Sequence, residues 1–150
     1  MNRYLKALKR TRIADIVSWI VVKVSYTWIG FWGTLCFKIK AIFLGIEGGK
    51  GVKCFGRVDM IRAPFSLITL GDNCSIVSSS YRCTASSIYA PTKFRTFTSS
   101  ARIVIGNNVG LNGTSIVART KSIYIGDGSM IAPNCVIMDS DFHALWPPEN

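Results

Sequence analysis

Aliphatic residues recur every six positions in much of the second half of the chain, and two matched properties travel with them. A small or polar residue usually follows each aliphatic, and a small or β-branched residue comes four positions after it. The aliphatics are Leu70 and Ile76, then Ile105, Leu111, Val117 and Ile123, and, after a shift of two, Ile125, Ile131 and Ile137. The following residues are Gly71, Gly106, Asn112, Ala118, Gly126 and Ala132, and those four positions on are Cys74, Val109, Ser115, Ser129 and Cys135. Self-similarity at a fixed period indicates a repeat architecture.

A six-residue period predicts three short strands in each turn of a triangular coil. Each aliphatic would point inward and stack on its counterpart in the next coil, about 4.8 Å away. The small residue four positions on would also point inward, and the following Gly or Asn would lie near a corner that needs unusual backbone angles. One coil cannot bury its inner face alone, so several must stack. We therefore predict an all-β fold, a parallel β-helix. The competing interpretation is an antiparallel β-sandwich, for which Asn112-Gly113 offers a hairpin signal.

The front of the chain has a different pattern, an apolar run from Ile13 to Leu35 that only Asp15 and Lys23 interrupt. It predicts a helix that lies on or re-enters a membrane, spans it, or packs on its own domain. A charge near the middle of the run, at Lys23, is costly in a span. A signal peptide would need a small-x-small cleavage site, which the run lacks. The glycines at 45, 48, 49 and 51 predict a flexible junction, so we expect a helical segment over 1–45 and a β-helix domain over 46–150.

The net charge of +10 is concentrated in this front segment. Residues 1–62 carry 12 Lys/Arg and three acids, a net charge of +9, whereas the remainder carries +1. Basic residues beside aromatic and aliphatic ones favour a membrane surface over nucleic acid as the anionic partner. The five cysteines are odd in number and scattered, and no CxxC pair accompanies them. We therefore expect reduced, mostly buried thiols and no zinc or disulfide framework.

Three strings carry a resemblance to a known family: IVIGNNVGLN (103–112), IYIGDGSMIAPN (123–134) and MDSDFH (138–143). They resemble the hexapeptide-repeat acyltransferases, in particular sugar O-acetyltransferases such as the maltose, galactoside and nodulation-factor enzymes and those of capsule and lipopolysaccharide synthesis. The resemblance covers about two-thirds of the chain, residues 50–150. It implies a left-handed coil, a homotrimer with active sites between subunits, acetyl-CoA as acyl donor and a sugar hydroxyl as acceptor.

The resemblance also suggests roles for individual residues. His143, the sole histidine, matches the family's general base, and its unperturbed pKa near neutrality suits proton abstraction from a hydroxyl. Asp141 could hold the imidazole in the useful tautomer, with Asp139 the weaker candidate for that task. Asn112 matches an acceptor-contacting asparagine, and Asp139 is assigned with it to substrate binding. The competing interpretations are an ordinary loop histidine, turn-forming aspartates and a corner asparagine.

Several further expectations complete this interpretation. Arg119 and Lys121 would be solvated loop cations or would meet an anionic group. No metal is expected, because the related γ-class carbonic anhydrases need three histidines for each zinc. The family continues past the histidine with coils that hold coenzyme A, so the chain is expected to lack them, and its cofactor-binding residues are unknown.

We expect a cytoplasmic enzyme peripheral to the inner face of the cell membrane. The alternatives are a non-catalytic β-solenoid and an integral membrane protein with an external β-domain.

Overall fold

The computed structural model describes residues 13–142, which form one long helix followed by twelve short strands. Helix α1 is Ile13–Leu44. The strands are β1 (Glu47–Gly48), β2 (Lys53–Phe55), β3 (Asp59–Ile61), β4 (Leu67–Leu70), β5 (Ser75–Val77), β6 (Lys93–Thr96), β7 (Arg102–Ile105), β8 (Gly110–Asn112), β9 (Ser115–Ala118), β10 (Ser122–Ile125), β11 (Met130–Ile131) and β12 (Val136–Met138).

The strands form three four-stranded parallel sheets, and successive strands enter the three sheets in rotation. Sheet A has the order β1-β4-β7-β10, sheet B β2-β5-β8-β11 and sheet C β3-β6-β9-β12. Each turn of chain therefore contributes one strand to each sheet and stacks in register on the turn before it. This arrangement is that of a parallel β-helix with four described coils. The antiparallel alternative is wrong, because every strand pair is parallel and β8 and β9, on either side of Gly113, lie in different sheets.

Inward-facing side chains stack in rows along the axis, as the repeat predicted. Register pairs place one row in each sheet: Ile68, Ile103 and Ile123 in sheet A; Cys54, Ile76, Leu111 and Ile131 in sheet B; Met60, Phe94, Ile116 and Ile137 in sheet C. Most of these side chains are fully buried, and Met60, Ile131 and Ile137 are partly buried against the same core. The predicted inward positions Leu70, Ile105, Cys74 and Val109 are confirmed as buried.

One stretch of the predicted register is wrong by a residue. Ile116 and Ala118 are buried, whereas Val117, predicted to point inward, is only half-buried on the outer side of β9. Thr114 likewise takes the inward place predicted for Ser115. The reason is a shortened corner: Gly113 turns with φ of 51°, so five positions rather than six separate Leu111 from the next inward aliphatic, Ile116. The predicted shift of two after Ile123 is simply the spacing of two inward residues on β10.

Two of the glycines that follow the aliphatics, Gly71 and Gly106, are needed for close approach rather than for unusual angles, whereas a Cβ on Gly126 would meet no described atom within 4 Å. A Cβ built on Gly71 would lie 2.6 Å from the carbonyl carbon of Gly106 in the next coil. The left-handed angles occur two positions later, at Asn73 (φ 57°) and Asn108 (φ 55°). At these corners, side-chain oxygens accept hydrogen bonds from backbone N–H groups. The Asp72 Oδ1 accepts from Lys50 N at 2.7 Å. The same pattern recurs in the next two coils, where the Oδ1 atoms of Asn107 and Asp127 accept the N–H groups of Asp72 and Asn107.

The second half of α1 covers the open end of the first coil. Gly33, Phe37 and Ala41 are the buried helical residues, and the last two belong to the same core cluster as the stacked rows. Thr34 Oγ1 accepts the backbone N–H of Cys54 in β2 at 2.9 Å. A Cβ on Gly33 would collide with the β2 backbone, so only glycine allows this approach. The helix therefore seals the apolar interior and satisfies part of an otherwise open strand edge.

The helix ends in a Schellman motif that leads directly into the first strand. Gly45 has φ of 59°, and the N–H groups of Ile46 and Gly45 donate to the carbonyls of Ala41 and Ile42 at 2.8 and 3.2 Å. Gly48 lies in β1, and Gly49 packs against the backbone of Gly71. Of the glycines predicted to form a flexible junction, Gly45 thus ends the helix, and Gly48 and Gly49 belong to the first coil.

The five cysteines are unpaired, but fewer of them are buried than predicted. Cys54 and Cys74 are buried, Cys83 and Cys135 are partly exposed, and Cys36 is exposed. Burial, with a smaller contribution from Cys74, raises the pKa of the Cys54 thiol to about 12. Cys54 therefore acts as a small apolar core residue.

Replacing Phe37 with alanine should destabilise the whole β-helix, because the side chain is 3% exposed and covers the end of the core. We expect the free energy of unfolding to fall by about 3–5 kcal/mol, the usual cost of this truncation in a core. Chemical denaturation followed by circular dichroism measures it. The matched control is Phe43→Ala on the same helix, where the side chain is 85% exposed. Equal effects of the two substitutions would contradict a capping role for the helix.

Candidate functional site

The segment that leads to the predicted catalytic histidine begins where β12 leaves sheet C. It comprises residues 139–142 and lies at the corner between sheets C and A. His143 itself falls outside the described residues. What the structure establishes is how the four residues before it are held.

Asp139 fixes the start of this segment by binding the corner of the preceding coil. One carboxylate oxygen accepts the backbone N–H of Arg119 at 2.6 Å. The other accepts those of Thr120 at 2.9 Å and Lys121 at 2.7 Å. Three donors that would otherwise lack partners in this tight turn thus converge on one side chain. The predicted contact of Asp139 with substrate stays a prediction, but both of its oxygens already serve the fold.

Those contacts determine the protonation of Asp139. Burial of the carboxyl alone would raise its pKa, but the hydrogen bonds from the N–H groups of Arg119, Lys121 and Thr120 outweigh burial and lower the pKa of Asp139. The ionised form is therefore the one that the corner binds.

An aromatic stack holds the other end of the segment. The Phe142 ring lies 5.0 Å from the Phe97 ring, which belongs to the corner two coils earlier. The Arg95 guanidinium lies 4.1 Å from the centroid of Phe97, and that of Arg119 lies 5.7 Å from the centroid of Phe142. Arg119 also approaches the Ser140 hydroxyl at 3.4 Å. Arg119 is exposed, as predicted for a solvated loop cation, and it also contacts this segment through the Phe142 ring and the Ser140 hydroxyl.

Phe142 has φ of 62°, a backbone conformation that a bulky residue rarely adopts. Its N–H donates to the Ser140 hydroxyl at 3.1 Å. Such backbone is retained only where surrounding contacts determine it, and residues of this kind cluster at functional sites. Phe142, the residue directly before position 143, is therefore held by its ring contact and by its N–H hydrogen bond.

Asp141 is exposed and has no hydrogen bond to another described residue. It differs in this from Asp139, whose oxygens are occupied. Of the two carboxylates, Asp141 is therefore the one that can turn toward a neighbouring group.

Asn112 occupies a different corner from the Asp139–Phe142 segment. It ends β8, and its Nδ2 donates to the Ile131 carbonyl of the next coil at 2.9 Å. It does not have a left-handed φ; that angle belongs to Gly113. Sheet C, with four residues in β9, separates this corner from the C–A corner by about 10 Å or more. One chain therefore does not bring Asn112 together with Asp141.

A long insertion beside Asn112 was not predicted from the sequence. In sheet A, 35 positions separate Leu67 from its partner Arg102, against 20 from Arg102 to Ser122. The additional residues form a loop over 78–92 between β5 and β6.

The side chain of Asn134 holds this loop. Its Oδ1 accepts from Tyr89 N and its Nδ2 donates to the Ser87 carbonyl, both at 2.9 Å. The loop packs at Gly113, with Tyr89 86% exposed beside the corner of Asn112. A run of Ser and Thr carries no periodicity, and only the broken six-residue spacing between 76 and 105 could have signalled the insertion.

Within residues 13–142, no three His, Cys, Asp or Glu side chains converge as a metal-ligand set would.

Asp139→Asn should lower the free energy of unfolding at pH 7 by about 1–2 kcal/mol, because it removes the charge from three N–H···O contacts. The folded pKa lies below the unfolded value of about 3.9. The stabilisation is therefore present above that value and is lost as the pH falls through the folded pKa. The difference between wild type and variant should shrink below about pH 4. Denaturation curves from pH 7 to 3 measure it, with Asp141→Asn as the control; equal effects at pH 7 would contradict the assignment.

Comparison with family models, with curated proteins and with solved structures finds no match to this chain. Its function is therefore argued from the coil architecture and from the geometry before position 143.

Proposed function

We propose that this chain is an O-acetyltransferase of the left-handed hexapeptide-repeat class, which moves an acetyl group from acetyl-CoA to a sugar hydroxyl. The acceptor would belong to a surface polysaccharide or its lipid-linked precursor. The observation that carries the proposal is the fixed segment at the C–A corner, where Asp139 and Phe142 anchor the residues directly before His143. The resemblance of MDSDFH to the family's active-site string supports the same assignment.

In the proposed reaction, His143 takes the proton of the acceptor hydroxyl as its oxygen attacks the thioester carbonyl. The tetrahedral intermediate then collapses, the C–S bond breaks, and the thiolate of coenzyme A leaves with the proton that the imidazolium returns. Asp141 would orient the imidazole by accepting a hydrogen bond from its other nitrogen. Its carboxylate is exposed and has no hydrogen bond to another described residue, which supports that role over the alternative of Asp139. The proposal assigns no described residue to coenzyme A.

The separation of the two corners supports a homotrimer. If Asn112 contacts the acceptor, the C–A corner that leads to His143 would meet that acceptor from a neighbouring subunit, because sheet C separates Asn112 from Asp141 within one chain. The outer side of β12, the last described strand of sheet C, is apolar, with Val136 58% and Met138 47% exposed. Apolar side chains on an exposed sheet face favour burial against another copy. Left-handedness belongs to this proposal and rests on the resemblance.

The first half of α1 supports contact with a membrane surface. The helix is long and apolar enough to cross a bilayer by length and composition, and little of it is buried. Apolar side chains are exposed along residues 13–32, including Ile16, Trp19, Val24, Trp28 and Phe31, each more than half exposed. Lys23 lies 5.6 Å from the Trp19 ring, an arrangement suited to the interface between lipid and water. Because acetyl-CoA is cytosolic, the proposed location is the inner face of the cell membrane.

His143→Ala should lower the rate of acetyl transfer at least 100-fold, the usual scale of general-base catalysis, without changing the unfolding midpoint. Thiol release from acetyl-CoA with an oligosaccharide acceptor measures the rate. Tyr124→Ala is the control, since that ring is 70% exposed on sheet A. An unchanged rate would remove His143 from the mechanism. A chain that neither transfers acetyl groups nor binds coenzyme A would instead be a non-catalytic solenoid.

The membrane proposal is tested by Ile20→Glu with Val24→Glu, which places two charges on the exposed half of α1 and leaves the capping residues intact. We expect the full chain to co-sediment with vesicles containing anionic lipid and the double variant to stay in the supernatant. Tyr124→Glu, at an exposed ring far along the chain from the helix, is the control. Sedimentation of the double variant to the same extent as wild type would show that α1 does not contact the membrane.

A further inference from the structure

A groove of about 590 Å³ runs between α1 and the edge of the first coil. Its volume falls within the range of small-molecule sites. Its lining residues are Tyr26, Thr27, Gly30, Phe31, Thr34, Leu35, Lys38, Lys53 and Phe55. Most of the lining is apolar, none of it is acidic, and its two charged members are lysines from different elements.

The groove forms because α1 approaches β2 closely at small residues and then extends beyond the edge of the sheet. Gly33 and Gly30 let α1 approach β2, and a Cβ on Gly30 would lie 2.9 Å from the Phe55 ring. Above this contact the helix continues past the edge of the sheet, and the Tyr26 and Phe55 rings form part of the wall. Arg82 from the 78–92 loop stacks behind both rings, 5.4 Å from Tyr26 and 5.0 Å from Phe55.

The charged side chains that line the groove are both positive. Lys38 and Lys53 are exposed, and neither side-chain ammonium group forms a salt bridge or hydrogen bond with a described residue. Together they place two cations at an apolar trough, and the Arg82 guanidinium lies behind two of its aromatic rings. A ligand that matches this trough combines one apolar chain with an anionic end.

The groove is also continuous with the apolar surface proposed to contact the membrane. Thr27 and Phe31 line both this groove and a second hollow formed by Lys23, Val24 and Trp28. An apolar chain could thus pass from the bilayer along the helix into the groove without crossing water. That continuity selects a lipid over a soluble peptide as the occupant.

We infer that this groove binds a single-chain lipid phosphate, with the apolar chain along α1 and the phosphate between Lys38 and Lys53. In the proposed function this ligand would be the carrier of the acceptor sugar, so its biological role rests on that proposal. Its binding does not, because it can be measured without acetyl-CoA.

The test titrates farnesyl phosphate into the full chain in a neutral detergent, by calorimetry. Lys38→Gln with Lys53→Gln should weaken binding at least tenfold. The matched control is Lys40→Gln with Lys93→Gln, which removes the same charge from a separate hollow that also contains Asp59 and should change affinity less than twofold. Equal losses in the two double variants would overturn the site, because they would indicate attraction by net charge alone.

Three further measurements distinguish the contribution of the ligand's apolar chain to binding from that of its phosphate. Farnesol should bind at least tenfold more weakly than farnesyl phosphate, and inorganic phosphate should not compete at the same concentration. Thr27→Trp, which fills the groove, should weaken farnesyl phosphate at least tenfold; unchanged affinity would overturn the apolar half of the site. His143→Ala should bind like wild type, so a failed acetyl transfer leaves this result standing, and absence of farnesyl phosphate binding overturns the groove alone.

Discussion

Stacking of one coil's inward side chains on those of the next is the interaction on which the rest of this protein depends. A coil of three short strands buries nothing by itself, and its aliphatics leave water only when another coil or a cap covers them. In this chain the first cover is the C-terminal half of α1, through Phe37 and Ala41, and each coil then covers the next. Everything at the corners, including the segment before His143, is held by contacts with a neighbouring coil.

The corners show how one requirement produces both structure and site. Backbone N–H groups at a tight turn need acceptors, and a carboxylate or amide from the next coil supplies them. Asp72, Asn107 and Asp127 do so between sheets A and B. Asp139 does the same between sheets C and A, and the chain then turns back over the outside of the stack to place Phe142 against Phe97. The candidate site is thus a corner contact, and the residue that follows it, His143, is the proposed general base.

The sequence was informative where a residue's role repeats in every coil. Leu70, Ile76, Ile105 and Leu111 could be placed inside because the same property recurs six positions on. The placement of Val117 was wrong because the turn at Gly113 is one residue shorter. Nothing in the local composition indicates that shorter turn. The packing of α1 was not predicted either. The residues of this helix that face solvent are about as apolar as those that contact the coil, so hydropathy does not distinguish the two sets.

The site could be predicted only in part, for a related reason. The residue types of Asp139 and Asp141 are the same, but their surroundings are not: one meets three N–H groups and the other none among the described residues. Such a difference depends on the length of the preceding corner, which sequence spacing does not give. The groove beside α1 depends likewise on Gly30 and Gly33, two glycines within an otherwise ordinary apolar helix.

The stacking register is tested most directly by cross-linking across sheet A. Val104 and Tyr124 are register partners on outward positions of β7 and β10, whereas Arg102 pairs with Ser122. Under mild oxidation, Val104→Cys with Tyr124→Cys should form an intramolecular disulfide, because partner Cα atoms in adjacent strands lie within disulfide range. Arg102→Cys with Tyr124→Cys, displaced by two residues, should not, with both products located by peptide mass spectrometry. A disulfide in the displaced pair and none in the partner pair would contradict the stacked parallel coils.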